Sequence, residues 1–179
     1  HTGQSGSLTA PAQDMQQVDH TTDAKTGLPV VSLYGDSFES LKPRPEHLEG
    51  VDILLVDLPD IGTRYYTFAQ TMALCMDVAG KCGVKVMVLD RPNPINGVDI
   101  EGAPLIKSCQ SFCGLIPIAN RHGLTLGELA LAFQRGFGSG EDAWPPTPCE
   151  LEIVKCQDWK RGLFFNKLRL PWVLPSPNM

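Results

Sequence analysis

Apolar positions follow two different periods through the middle of this chain, and the two alternate. Residues 51–57 (VDILLVD) form a nearly unbroken apolar run closed by a carboxylate, and residues 85–90 (KVMVLD) repeat that pattern. Between them, residues 67–81 place Phe68, Met72, Cys75, Met76 and Ala79 at helical spacing. Continuous apolar runs are the pattern of strands buried on both faces, so this stretch predicts a β-α-β unit with parallel strands. Further along, Thr125 opens a second helix to about Phe137, with Leu126, Leu129, Ala130 and Phe133 on one face. Thr125 followed by Glu128 is a capping-box pattern, which gives Glu128 a structural role. Residues 149–156 (CELEIVKC) alternate as a strand, with Leu151 and Ile153 on one face. Upstream, residues 28–34 (LPVVSLY) read as a short strand ended by Gly35-Asp36. Pro43 and Pro45 then permit only a short helical turn around residues 45–48. Residues 115–119 (LIPIA) read as another short strand or an extended passage. The pattern as a whole is α/β, built around a mainly parallel sheet.

Polar residues gather where such a sheet would bind a ligand, beyond the carboxyl ends of its strands. The first cluster is Asp57 to Tyr66. Pro59 stops the strand, and Gly62 allows a tight turn into a helix N-terminus, which favours a polar or anionic ligand. Arg64 is placed to clamp a carboxylate or a sugar substituent, and Tyr65 and Tyr66 to stack on an apolar sugar face. The structural alternative has Asp60 capping the turn, Arg64 pairing with Asp57 or Asp60, and one tyrosine in the core. The second cluster, Asp90, Arg91 and Asn93, sits on a turn made rigid by Pro92 and Pro94, with Asn96-Gly97 as a further turn signal. Its alternative is an Asp90–Arg91 ion pair with Asn93 in an Asx-turn. Glu101 is either a ligand or solvated. Arg121 and His122 precede the second helix, where a histidine could exchange a proton near neutral pH or simply complete a hydrogen-bonded loop. Trp172 and Asn178 would contact a sugar if the proline-rich end crosses the crevice; Trp172 could equally be a hydrophobic plug.

Composition narrows the field. The length of 179 residues suits one domain, and 42% hydrophobic with 20% charged residues suits a soluble globular protein. A net charge of -5 without a basic cluster argues against a nucleic-acid surface. No apolar run approaches the roughly 20 residues of a membrane span. There is no G-x-x-x-x-G-K-[ST], and no G-x-G-x-x-G after a strand, so a nucleotide cofactor loses its support and none is expected. Cys109-x-x-x-Cys113 is not a common zinc spacing and has no histidine pair nearby, so no metal is expected either. The six cysteines (75, 82, 109, 113, 149 and 156) read as free thiols more than bridges. Residues 1–27 are polar and turn-rich, an exposed loop in which His1 and His20 are surface residues. A start at His1 and a stop at Met179 read as an excerpt of a longer protein. Cell envelope, secretion and cytoplasm all stay open.

Seven blocks then fall in one order: residues 26–35 (TGLPVVSLYG), 60–67 (DIGTRYYT), 88–94 (VLDRPNP), 101–105 (EGAPL), 121–123 (RHG), 125–128 (TLGE) and 171–179 (PWVLPSPNM). In these the chain resembles the DUF1343 family, the bacterial NamZ-like exo-β-N-acetylmuramidases. The resemblance covers nearly the whole chain. It implies a Rossmann-like three-layer domain, incomplete here at one or both ends, with most of it in residues 1–179 and a smaller C-terminal domain beyond. It also implies release of N-acetylmuramic acid from the non-reducing end of peptidoglycan fragments, with a muropeptide or disaccharide as substrate. Matched onto this chain, the cleft residues are Asp60, Arg64, Tyr65, Tyr66, Asp90, Arg91, Asn93, Arg121, His122 and Asn178. The family's proposed catalytic glutamate falls at about the point where this sequence begins, and no residue here matches it. From the residues themselves, Asp60 and Asp90 are the best acid pair for a metal-independent glycosidase, with His122 beside them. Arg64 or Arg121 would hold the lactyl carboxylate, and Tyr66 and Trp172 would pack on the sugar. The rivals are a non-catalytic muropeptide-binding module with the same cleft, and an unrelated hydrolase or transferase of this fold.

Overall fold

The computed structural model describes residues 20–33 and 37–175, and its centre is a three-stranded parallel sheet. After a short hairpin, β1 (Thr21–Thr22) with β2 (Pro29–Val30), the sheet is built from β3 (Ile53–Val56), β4 (Lys85–Leu89) and β5 (Leu151–Val154), in that spatial order. Register places Val56 beside Val88 and Val88 beside Ile153. Helix α1 (Phe68–Cys82) connects β3 to β4, and α2 (Leu126–Arg135) lies on the connection from β4 to β5. Strand side chains alternate between faces, so Val56, Val86 and Val88 point together at the helices, and the two valines of β4 are fully buried. Against them pack Met72, Met76 and Ala79 of α1 and Leu126, Leu129, Ala130 and Phe133 of α2. The other face is largely uncovered by the described residues. Ile53, Leu55 and Val154 are about half exposed there, and the Lys85 ammonium bridges to Glu152 at 2.8 Å. This is an incomplete Rossmann-like α/β arrangement: the sheet and one helical layer are in place.

Both long helices end where the sequence supplies a glycine. Gly83 adopts φ 70° and donates to the carbonyls of Ala79 and Gly80, closing α1. At Gly80 an added Cβ would lie 2.1 Å from the Pro148 carbonyl oxygen, so a glycine is what lets α1 lie against the segment entering β5. Helix α2 begins with the expected capping box: Thr125 Oγ1 accepts from the Glu128 amide at 3.2 Å, and Glu128 Oε2 accepts from the Thr125 amide at 2.9 Å. No helix among the described residues is long and apolar enough to cross a membrane.

The structure trims several expected elements. The strand expected over residues 28–34 is regular only at Pro29–Val30, with residues 34–36 outside the described set. Residues 21–27, read as loop, instead open a hairpin. Asp23 makes its turn, accepting from both the amide and the hydroxyl of Thr26 at 2.9 and 2.6 Å. Residues 115–119 are extended but unpaired with the sheet. Pro117 brings no N–H, and the Ile118 amide turns back to the Ile116 carbonyl at 2.8 Å. Leu115, Ile116 and Ile118 are nevertheless buried in the core.

All six cysteines are free thiols. Burial pushes the Cys75 thiol up to about 12, whereas Cys82, Cys109 and Cys113 are exposed. Since the thiolate is the reactive form, iodoacetamide at pH 8 should label these three within minutes and leave Cys75 unmodified in the folded protein; peptide mass spectrometry would read this out. Phe133 is fully buried, with its ring 6.0 Å from that of Trp144. Phe133→Ala should lower the unfolding free energy by about 3–5 kcal/mol in urea titration.

Candidate functional site

The carboxyl ends of β3 and β4 are tied to each other by charge. Arg91, just beyond β4, donates from Nε and Nη2 to Asp57 Oδ1, just beyond β3, at 3.0 and 2.5 Å. Both side chains are half exposed at the sheet end. The arginine thus pairs across the strands, and not with its neighbour Asp90.

Asp90 faces inward. Its Oδ1 accepts the Gly127 amide at 2.7 Å and its own neighbour's amide, Arg91, at 3.0 Å, while Oδ2 accepts the Thr125 hydroxyl at 2.9 Å. A carboxylate at the free N–H groups of α2 suits the helix dipole. Cys156, beyond β5, lies against the same carboxylate. Burial, joined by the charge of Asp90, pushes its thiol up to about 11. Gly127 is needed for this closeness, because a Cβ there would lie 2.8 Å from the Asp90 carboxyl carbon.

The fixed start of α2 determines where the preceding loop runs, and that loop carries His122. Its amide donates to the Gly62 carbonyl at 3.3 Å, and the Arg64 amide donates to the Asn120 carbonyl at 2.8 Å. Arg121 also exchanges backbone hydrogen bonds with Glu101 at 3.1 and 2.9 Å. Three segments from distant parts of the chain are laced together here. Gly62, at φ 83°, makes it possible: a Cβ there would lie 2.4 Å from Asn93 Oδ1.

Inside this lacing, Asp60 and His122 meet. His122 Nε2 lies 3.3 Å from Asp60 Oδ2, with both side chains almost wholly buried. His122 Nδ1 accepts the Leu124 amide at 3.1 Å, which puts the proton of a neutral ring on Nε2, facing the carboxylate. Asp60 Oδ2 also accepts the Gly62 amide at 2.8 Å. Among the described residues Asp60 Oδ1, Thr63 Oγ1 and His122 Nε2 are buried without a hydrogen-bond partner, so the pair is in close approach and not hydrogen-bonded. Unpartnered buried polar atoms are costly, so these stand out in the packing of this end.

The other expected residues divide by exposure. Arg64 Nη1 donates to the carbonyls of Ala103 and Ile118 at 3.0 and 2.5 Å, which makes it a staple between loops. Arg121 is mostly buried, held by Asp99 at 2.9 Å, Glu101 at 2.5 Å and the Ile95 carbonyl. Asn93 is buried in the Asx-turn anticipated as its alternative, accepting the Ile95 amide at 3.1 Å and donating to the Leu124 carbonyl at 2.9 Å. Tyr66 is buried against Phe68 and donates its hydroxyl to the Pro175 carbonyl at 2.7 Å. Tyr65 and Trp172 remain about half exposed, the latter edge-on to Phe165. Asn178 lies outside the described residues.

Sequence reasoning missed Arg161. It donates to the carbonyls of Gly97 and Gly123 at 3.0 and 2.8 Å and also bonds Glu128, so it clips the segment after β5 onto the loops that hold His122. Its only signal was an arginine in a polar stretch. Among the described residues no group of three or more His, Cys, Asp or Glu side chains is placed to hold a metal.

Two consequences follow from this packing. Gly62→Ala should destabilise the protein by more than about 1 kcal/mol in urea titration, since it adds strain at positive φ to a steric clash. Thr125→Ala should cost about 1 kcal/mol through loss of the cap, measured the same way.

Comparison with known proteins agrees with the fold. Residues 3–179 match the family model described as exo-β-N-acetylmuramidase NamZ, N-terminal. Over 168 residues the chain is 48% identical to the peptidoglycan β-N-acetylmuramidase NamZ of Bacillus subtilis (strain 168), covering 94% of this chain and 38% of that protein. Crystal structures of two DUF1343 family proteins from Bacteroides fragilis NCTC 9343 share the fold. One has a TM-score of 0.78 at 41% identity, covering 87% of this chain and 38% of the other. The second has a TM-score of 0.71 at 36% identity, covering 88% and 40%. The chain thus spans about two fifths of the length of these relatives. It belongs to the NamZ exo-β-N-acetylmuramidase family, DUF1343, and corresponds to the family's N-terminal region.

Proposed function

We propose that this chain is the N-terminal, proton-handling part of a glycosidase that releases N-acetylmuramic acid from the non-reducing end of peptidoglycan fragments. The observation that carries this reading is the 48% identity to a peptidoglycan β-N-acetylmuramidase over nearly all of the chain. The buried Asp60–His122 pair supplies chemistry suited to it. Glycoside hydrolysis needs a group to protonate the leaving oxygen and another to stabilise or activate at the opposite face. In this proposal Asp60 meets the substrate oxygen through its buried, unpartnered Oδ1, while His122, with Nδ1 on the Leu124 amide and Nε2 turned to Asp60, supports that carboxylate. In this proposal Asp90 fixes the start of α2 and positions the pair, because its oxygens already serve three donors.

Substrate contact falls to the residues still exposed at the sheet end. Arg91 is half exposed and is the best-placed cation for the lactyl carboxylate of a muramic acid, while Arg64 and Arg121 are spent on carbonyls and on acidic partners. Tyr65 and Trp172 offer faces to the sugar ring. The substrate is accordingly a muropeptide or disaccharide ending in N-acetylmuramic acid.

In the full-length protein, Asp60→Asn and His122→Ala should each lower kcat/KM by at least tenfold and up to roughly ten-thousandfold, read from 4-nitrophenol release from 4-nitrophenyl β-N-acetylmuramic acid. Arg91→Ala and Tyr65→Ala should instead act mainly through KM. Full activity in both Asp60→Asn and His122→Ala would sink the assignment of the pair. Saturable muropeptide binding with no released sugar in the wild type would make the protein a binding module.

A further inference from the structure

Arg161 grips both backbone groups of Gly97. The Gly97 amide donates to the Arg161 carbonyl at 2.7 Å, and the Gly97 carbonyl accepts from Arg161 Nε at 3.0 Å. Space there is short: a Cβ on Gly97 would lie 3.4 Å from Arg161 Cζ and 2.8 Å from the Trp159 ring. With the guanidinium held at that point, Nη2 donates to the Gly123 carbonyl at 2.8 Å and Nη1 bonds Glu128. Glu128 is itself fixed, since its other oxygen accepts the Thr125 amide at 2.9 Å in the α2 cap. All three guanidinium nitrogens are in use, on the turn at Gly97, the loop at Gly123 and the first turn of α2.

The Gly123 carbonyl belongs to the same peptide unit as the Leu124 N–H. That unit is planar and trans, so its C=O and N–H point in opposite directions and turn only together. On one side Arg161 holds the oxygen; on the other the N–H donates to His122 Nδ1 at 3.1 Å. Gly123 sits at φ 64°, and glycine restrains the peptide that follows it least of all residues. An imidazole can turn about its bond to Cβ and exchange the places of its two nitrogens. The hydrogen bond at one nitrogen then decides where the other faces. Here Nδ1 on Leu124 leaves Nε2 3.3 Å from Asp60 Oδ2.

We infer that Arg161 is a positioning residue for the Asp60–His122 pair: it sets the Gly123–Leu124 peptide, and through it the direction of the His122 ring. Lysine does not replace it, because one ammonium cannot serve two carbonyls and Glu128 with the fixed fork of a guanidinium. The catalytic consequence rests on the reading of Asp60 as the group that meets the substrate; the hold on the ring does not.

The test uses the full-length protein, with Arg161→Ala and Arg161→Lys beside the wild type. Imidazole nitrogen resonances in NMR separate a His122 Nδ1 that accepts a hydrogen bond from one that does not. Both substitutions should move that resonance toward the unbonded position. On 4-nitrophenyl β-N-acetylmuramic acid, kcat should fall about ten- to hundredfold with KM within about twofold, the signature of a group displaced without loss of substrate contact. Because the Arg161 side chain is half exposed, guanidinium ion can enter the space left in Arg161→Ala. At millimolar concentration, far below the molar range that unfolds proteins, it should restore part of kcat and of the resonance, while matched sodium chloride restores neither. A loss caused only by weaker folding would not be rescued by a denaturant. An unchanged Nδ1 resonance in folded Arg161→Ala would overturn the inference, as would the same result in Arg161→Lys should the alanine variant fail to fold. A moved resonance with unchanged kcat would uphold the hold on the ring and sink instead the catalytic reading of Asp60 and His122.

Discussion

One carboxylate holds the working end of this molecule in place. Asp90 closes β4 and accepts the Gly127 amide, the Thr125 hydroxyl and the Arg91 amide, so the end of the central strand and the start of α2 are fixed to each other. Once α2 starts there, the loop before it has no freedom to wander. Residues 120–122 run alongside Gly62 and Arg64 through backbone hydrogen bonds, and His122 lands 3.3 Å from Asp60. The acid–imidazole pair is therefore a product of a helix cap made about thirty residues away in sequence. Charge plays the same organising part elsewhere at this end: Arg64, Arg121 and Arg161 all reach backbone carbonyls and clip loops together.

Polar residues at the end of a parallel sheet are easily taken for ligands, and most of them here are scaffold. A loop that leaves the sheet must satisfy its own backbone groups, and side chains such as Asn93, Arg64 and Arg121 do that work inside the protein. Two groups are not used up as scaffold: the buried Asp60 Oδ1, which has no partner among the described residues, and the half-exposed side chains of Tyr65, Arg91 and Trp172. Separating the two sets depends on burial and partner, which the sequence does not print.

The β-α-β unit was legible because apolar runs and helical spacing at residues 51–90 report burial directly, and strand and helix bounds differ from expectation by only a residue or two. The Thr125–Glu128 cap was legible because it is local. Pairings across long sequence separation were not. Nothing near Arg91 announces Asp57, nothing near Asp60 announces His122, and Arg161 shows no local pattern at all. The hairpin at Thr21–Thr22 escaped because its stability comes from Asp23 side-chain bonds in an otherwise patternless polar stretch.

The claim that the buried pair handles the proton in glycoside cleavage is tested most directly by the pH dependence of kcat/KM. The measurement compares the full-length wild type with His122→Gln on a chromogenic N-acetylmuramide. The account predicts that the substitution lowers the rate and abolishes a limb that the wild-type profile shows. A profile of unchanged shape in the His122→Gln protein, at whatever rate, would show that the proton travels by another group and would contradict the role given to Asp60 and His122.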